Sequence, residues 1–127
     1  MQYVSWKDDT TPQVIKSKTW TLMSLTVDGK KNDVIKPTIN ALAQLAWYIN
    51  VADKGDATKV LVRFSRDPKG ANDFTGQTSI DLTTHDISSH VWFIKAKIGT
   101  PLGVMVYHNG TKPLTLGTRE FKAAIGA

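Results

Sequence analysis

From Val60 to Ile125 the chain alternates apolar and polar residues in short segments, each closed by turn formers. Alternation with a period of two places successive side chains on opposite faces, so each segment predicts a half-buried β-strand. Val60, Val62 and Phe64 oppose Leu61, Arg63 and Ser65 within Thr58–Arg66, which reads as a hairpin partner of the preceding segment across Ala52-Asp53-Lys54-Gly55-Asp56. Phe74–Leu82, His90–Ile98, Leu102–His108 and Thr115–Ile125 follow, with Gly117 marking a bulge or bend in the last of them. Asn109-Gly110, between two of these strands, is the dipeptide of a type I′ hairpin turn.

The first half is less regular. Residues 1–16 are polar and read as an N-terminal arm outside the core, with Asp8-Asp9-Thr10-Thr11-Pro12 as a turn. Lys18–Val27 alternates, with Thr19, Thr21, Met23, Leu25 and Val27 on one face, and Asp28–Asp33 is a turn. Thr38–Val51 satisfies two periods at once: Ile39, Leu42, Ala43, Ala46 and Trp47 fit a helix, while Ile39, Ala41, Ala43, Leu45, Trp47, Ile49 and Val51 fit a strand. Its length and its end, Trp47-Tyr48-Ile49-Asn50-Val51, tip the reading towards one long strand. The expected architecture is therefore all-β: an antiparallel β-sandwich of jelly-roll type with seven or eight strands, residues 17–127 forming one domain behind the arm.

Composition narrows the chemistry. Cysteine is absent, which removes disulfides, thiolate catalysis and Cys-ligated zinc. No apolar run nears the roughly 20 residues of a membrane-spanning helix. The opening residues lack a basic stretch followed by an apolar one, so no signal peptide and synthesis in a cytoplasm are expected. The net charge of +5 is spread over turns and alternate strand positions, a solvated surface rather than a specific nucleic-acid footprint.

Candidate catalytic groups fail on spacing. His85, His90 and His108 fall on separate segments with no metal-binding pattern, and His85-Asp86 has no nucleophile elbow to serve. Glu120 is the sole glutamate, leaving no evident acid pair for glycoside hydrolysis. Asp53 with Asp56, and Asp67 with Asp73, match no ordered calcium loop and suit turns better. No catalytic residue, cofactor or metal site is expected. What remains is aromatic: four Trp and three Tyr, with Tyr3 and Trp6 in the arm and Tyr48 and Trp92 beside small or polar neighbours as candidate interaction residues.

Val60–Arg66 with Asp67-Pro68, Asp73-Phe74-Thr75-Gly76-Gln77, Gly99-Thr100-Pro101-Leu102-Gly103-Val104 and Gly117–Ala123 together resemble β-sandwich virion proteins of tailed bacteriophages. The likeness is to small accessory and minor tail proteins of phages infecting actinobacteria, and it covers the second half of the chain. It implies a non-enzymatic virion role, in capsid decoration or in the tail. The leading expectation is a homo-oligomer, a trimer being one option, whose edge strands and N-terminal arm, residues 1–16, dock on copies of itself or on other virion proteins, and the host cytoplasm is then the place of synthesis. The alternative is a carbohydrate- or receptor-binding module that presents exposed rings to a glycan.

Overall fold

The computed structural model describes residues 1–8, 11–66 and 74–126, and every described element is a strand. Eleven strands run in chain order: β1 (Gln2–Asp8), β2 (Gln13–Ile15), β3 (Thr21–Leu22), β4 (Leu25–Val27), β5 (Lys30–Asn32), β6 (Ala41–Asp53), β7 (Lys59–Ser65), β8 (Phe74–Asp81), β9 (Ile87–Ala96), β10 (Gly103–His108) and β11 (Leu114–Ile125). One antiparallel sheet has the order β1-β11-β6-β9, with β2 also paired to β11; the other large sheet has β3-β10-β7-β8, and β4 and β5 form a separate two-stranded ribbon. The pairing is nested, β1 with β11, β3 with β10, β6 with β9 and β7 with β8, the rolled-up order of a double-sheet jelly roll.

The long segment Thr38–Val51 is strand, as its period of two required. In β6, Ala43, Leu45, Trp47, Ile49 and Val51 are buried while Leu42 and Gln44 face out, and a helix would have scattered these five around its axis. They meet Phe121, Ala123 and Ile125 of β11 on the same sheet and Val60, Val62, Phe64, Val104 and Val106 of the facing one. Phe64 and Phe121 lie 6.3 Å apart between the two sheets.

β11 changes phase in mid-course. Leu114 and Leu116 are buried, and so are Arg119, Phe121, Ala123 and Ile125, so the inward positions pass from even to odd numbers. The switch is a bulge: Leu116 pairs with Val51 and Arg119 with Ile49, so three steps on β11 oppose two on β6. Gly117, expected to mark a bulge or bend, sits inside it, where a Cβ would come within 3.3 Å of Ala52. Without the extra residue Phe121 would turn to solvent.

Four expectations are corrected by the fold. Residues 1–16 are no free arm: β1 pairs with β11 over seven consecutive residues and β2 over three. Gln2, Val4 and Trp6 alternate with Tyr3, Ser5 and Lys7, a strand period whose half-buried side sets Val4 and Trp6 against the core. Lys18–Val27 is two short strands, β3 and β4, in different sheets. At the break, the Gln13 side-chain amide donates to the Leu22 carbonyl at 2.8 Å and accepts from the Ser24 N–H at 2.9 Å. The loops at residues 54–58 and 109–113 cross between sheets instead of closing hairpins. Finally, the short strands β2 to β5 raise the total above the seven or eight expected. The type I′ signature is realised by Asp28-Gly29, both at positive φ (52° and 75°), between β4 and β5.

Candidate interaction surface

One face of the β1-β11-β6-β9 sheet closes the core and the other faces out. Its outward residues lie in cross-strand rows: Tyr3, Ala124, Gln44 and Phe93 form one, Ser5, Lys122, Ala46 and Val91 the next, then Lys7, Glu120, Tyr48 and Ser89. Leu42 stands beside Lys95 at one end of the face. Tyr3, Leu42 and Phe93 are 64%, 61% and 61% exposed and Val91 is 47% exposed, an unusual set of large apolar side chains left in water on one sheet. Besides Lys95, charge stands beside Tyr48: Lys122 and Glu120 form an ion pair at 2.9 Å, and the hydrogen bond to Glu120 pushes the Lys122 ammonium above its ordinary value. The face is thus apolar along its Tyr3–Phe93 row, with charged side chains on either side of it.

The sequence candidates divide between the two faces of the sheet. Tyr3 and Tyr48 both stand on it, Tyr48 half-buried. Trp6 turns inward, edge-on to Phe121 with centroids 6.4 Å apart. Trp92 takes the opposite side of β9 yet stays 40% exposed, and its indole N–H donates to Thr75 Oγ1 at 2.9 Å. Its ring lies against Gly76, which has φ +66° and where a Cβ would sit 2.9 Å from the indole. Trp92 therefore ties β9 to β8 across the side of the sandwich. Phe93, Val91 and Leu42 escaped the sequence reading because both faces of β9 are apolar: Val91 and Phe93 alternate with Trp92 and Ile94, and either pair could have been core.

A second aromatic group lies on the outer side of the other sheet. Trp20 and Tyr107 are 5.3 Å apart, the Arg63 guanidinium covers the Trp20 ring at 4.2 Å, and Arg63 Nε donates to Gln77 at 2.6 Å. These contacts engage the rings internally.

The remaining polar clusters hold the fold. Asp8 and Arg119 are both buried, 3.7 Å apart. Asp8 accepts the backbone N–H groups of Thr11 and Thr26, and Arg119 donates to the carbonyls of Ser24, Thr11 and Gly117. Burial pulls the guanidinium below its ordinary value, and the Asp8 carboxylate opposes that pull. His108 is fully buried, with Nε2 on the Ile15 carbonyl at 2.9 Å and Nδ1 accepting from the Gly110 N–H. Asp56 clips residues 111 and 112 through their N–H groups and the Thr111 hydroxyl, which hold its carboxyl down at about 2. Gly110 is required by this close approach, since a Cβ there would lie 2.7 Å from Asp56 Oδ1. Asp53 accepts from Gly55 N–H, and His85 Nδ1 contacts the Thr84 hydroxyl at 2.8 Å. Asp67 and Asp73 lie outside the described residues, and among the described ones no three His, Asp or Glu converge as metal ligands.

The fold and its outer face define the class: an antiparallel two-sheet β-sandwich with an exposed apolar sheet face. Among solved structures, the PRD1 vertex protein P5 has a similar fold, with a TM-score of 0.63 over 98% of this chain and 96% of that one, at 11% identity. At that identity the likeness is one of fold. No family model matches the sequence, and no curated protein matches it.

Proposed function

We propose that this chain is a non-enzymatic structural protein of a phage virion, a subunit that docks on other virion proteins and on copies of itself through the outer face of its β1-β11-β6-β9 sheet. The observation that carries the reading is the whole-length fold likeness to a vertex protein of phage PRD1, which spans nearly all of both chains. It favours a shell position over a tail position. The face supplies the means of assembly: Tyr3, Leu42, Val91 and Phe93 are rings and branched chains of the kind that anchor subunit contacts once water is excluded. The carboxylates of Asp8, Asp53, Asp56 and Asp81 are tied up in backbone hydrogen bonds, which suits a scaffold better than catalysis.

Phe93→Asp with Leu42→Ser tests the face. Multi-angle light scattering of the wild type should show a mass of more than one chain, and the double variant should be monomeric with unchanged circular dichroism. A wild type that stays monomeric at high concentration and does not sediment with virions overturns the proposal.

A further inference from the structure

The four edge strands of the sandwich are not equally guarded. β1 is pinned at both ends: Gln2 donates to the Lys36 carbonyl and accepts from the Thr38 N–H, and Asp8 accepts from Thr26 N–H. β3 is only two residues long. β8 carries a register shift against β7 between Arg63 and Phe64, and Gly76 on β8 is at positive φ. β9 has none of these devices. It pairs with β6 over ten consecutive residues without a shift, contains neither Gly nor Pro, and carries one lysine, Lys95. Edges of this kind are the ones that accept another strand.

The ladder shows which groups are on offer. The Gly126 N–H bonds to the Leu42 carbonyl at 2.8 Å, so Leu42, opposite Lys95, turns its backbone towards β11 and away from β9. The Val51 N–H bonds to the Asp86 carbonyl at 2.8 Å, which puts the even-numbered residues in the hydrogen-bonded pairs. By the alternation of an antiparallel ladder, Ile87, Ser89, Val91, Phe93 and Lys95 point their N–H and C=O groups away from β6. Among the described residues no strand pairs with that side. The same residues put Ile87, Val91 and Phe93, 48%, 47% and 61% exposed, on the outer face. On the inner side Trp92 spans from β9 to Thr75 of β8 and closes the edge from below.

We infer that the free edge of β9 is a strand-acceptor site for an extended, acidic, apolar-alternating segment of another protein, which joins the sheet as a fifth full-length strand beside β9. Backbone pairing supplies the affinity, and side chains flanking Val91 and Phe93 supply selectivity. Charge decides the occupant. The chain carries +5 and one end of the site carries Lys95 and Lys97, so an acidic segment is drawn in there in preference to a basic one. β1 and β11 of a second copy are also already paired within its own sheet. The inference stands apart from the virion reading, because it follows from the edge itself.

The probe is a synthetic peptide of about nine residues alternating valine with threonine and glutamate, matched in length to β9. Amide hydrogen exchange on the intact protein should show new protection at Val91 and Phe93 when the peptide is added, and a lysine-for-glutamate peptide should bind about tenfold more weakly or worse. Val91→Pro removes one donor from the free side without touching the β6 ladder, so it should abolish the protection with little change in melting temperature. Val91→Lys, which keeps the donor, should bind the acidic peptide at least as well as the wild type does. Failure of the acidic peptide to protect Val91 and Phe93, or equal binding by a folded Val91→Pro variant, overturns the inference. So does concentration-dependent protection of the same amides without peptide, which would make the occupant a second copy.

Discussion

Removing the Asp8 carboxylate should cost more stability than any other single surface-to-core polar change in the described structure. Asp8→Ala deletes the anion facing a guanidinium that is 1% exposed, and strands the N–H groups of Thr11 and Thr26, which bond to the carboxylate at 2.7 and 3.0 Å. The direct ion pair is long, at 3.7 Å, so it contributes less than a short charge-assisted bond would. Arg119 is held chiefly by three carbonyls, and these remain in the variant. The loss is therefore dominated by an uncompensated buried charge and two orphaned donors, together about 3–5 kcal/mol. For a domain of this size that is a fall of roughly 10–20 °C in melting temperature. Chemical denaturation of Asp8→Ala, Arg119→Met and the double variant gives the coupling directly. The double variant should lose much less than the sum of the singles, because Met fills the volume without a charge. A loss below about 1 kcal/mol for Asp8→Ala, or strictly additive singles, would refute the view that this pair pins the β1–β4 segment to β11.

Other outcomes follow from the same contacts. Asp56 titrates at about 2 instead of 3.8, so its clip on Thr111 and Lys112 stabilises the fold above pH 3.8 and is lost as pH falls towards 2; proton-detected titration of the Thr111 amide should show that low midpoint, and Asp56→Asn should flatten the acid limb of the stability curve. Gly76→Ala forces a Cβ against the Trp92 indole at a positive φ and should cost about 1–3 kcal/mol with a red shift in tryptophan fluorescence, whereas Gly29→Ala, with open space around it, should cost less. Phe121→Ala, fully buried between the sheets beside Trp6 and Phe64, should cost about 3–5 kcal/mol by urea unfolding.

Much of the fold is legible in the residues, and the gaps have physical causes. β6 and β7 follow their alternation closely, and β11 does so on either side of its bulge, because both sheets bury one face and each strand must keep its phase between bulges. Residues 2–8 were read as an arm since Gln2, Ser5, Lys7 and Asp8 are polar; yet Gln2 and Asp8 are polar because they serve as end clamps, which a hydropathy pattern registers only as a loop. Turn residues mark where the chain reverses but not whether it returns to the same sheet, so Asp53–Asp56 and Asn109-Gly110 looked like hairpins. The Asn109 side chain instead accepts the Thr58 and Lys59 N–H groups across the crossover. The surface was half legible. Tyr3 stands exposed and Tyr48 half-buried on the face, Trp92 is 40% exposed while also tying two strands together, and Phe93 could be placed outside only once the register with Gln44 was known.

The central claim is that this sandwich is a virion subunit that works by docking. Density-gradient sedimentation of phage particles, followed by quantitative mass spectrometry of the particle band, tests it most directly. The account predicts that the chain bands with the particles in a fixed multiple of copies, and that the Phe93→Asp, Leu42→Ser variant is left in the soluble fractions. Recovery of the wild-type chain only in the soluble fractions, with particles complete without it, would contradict the account.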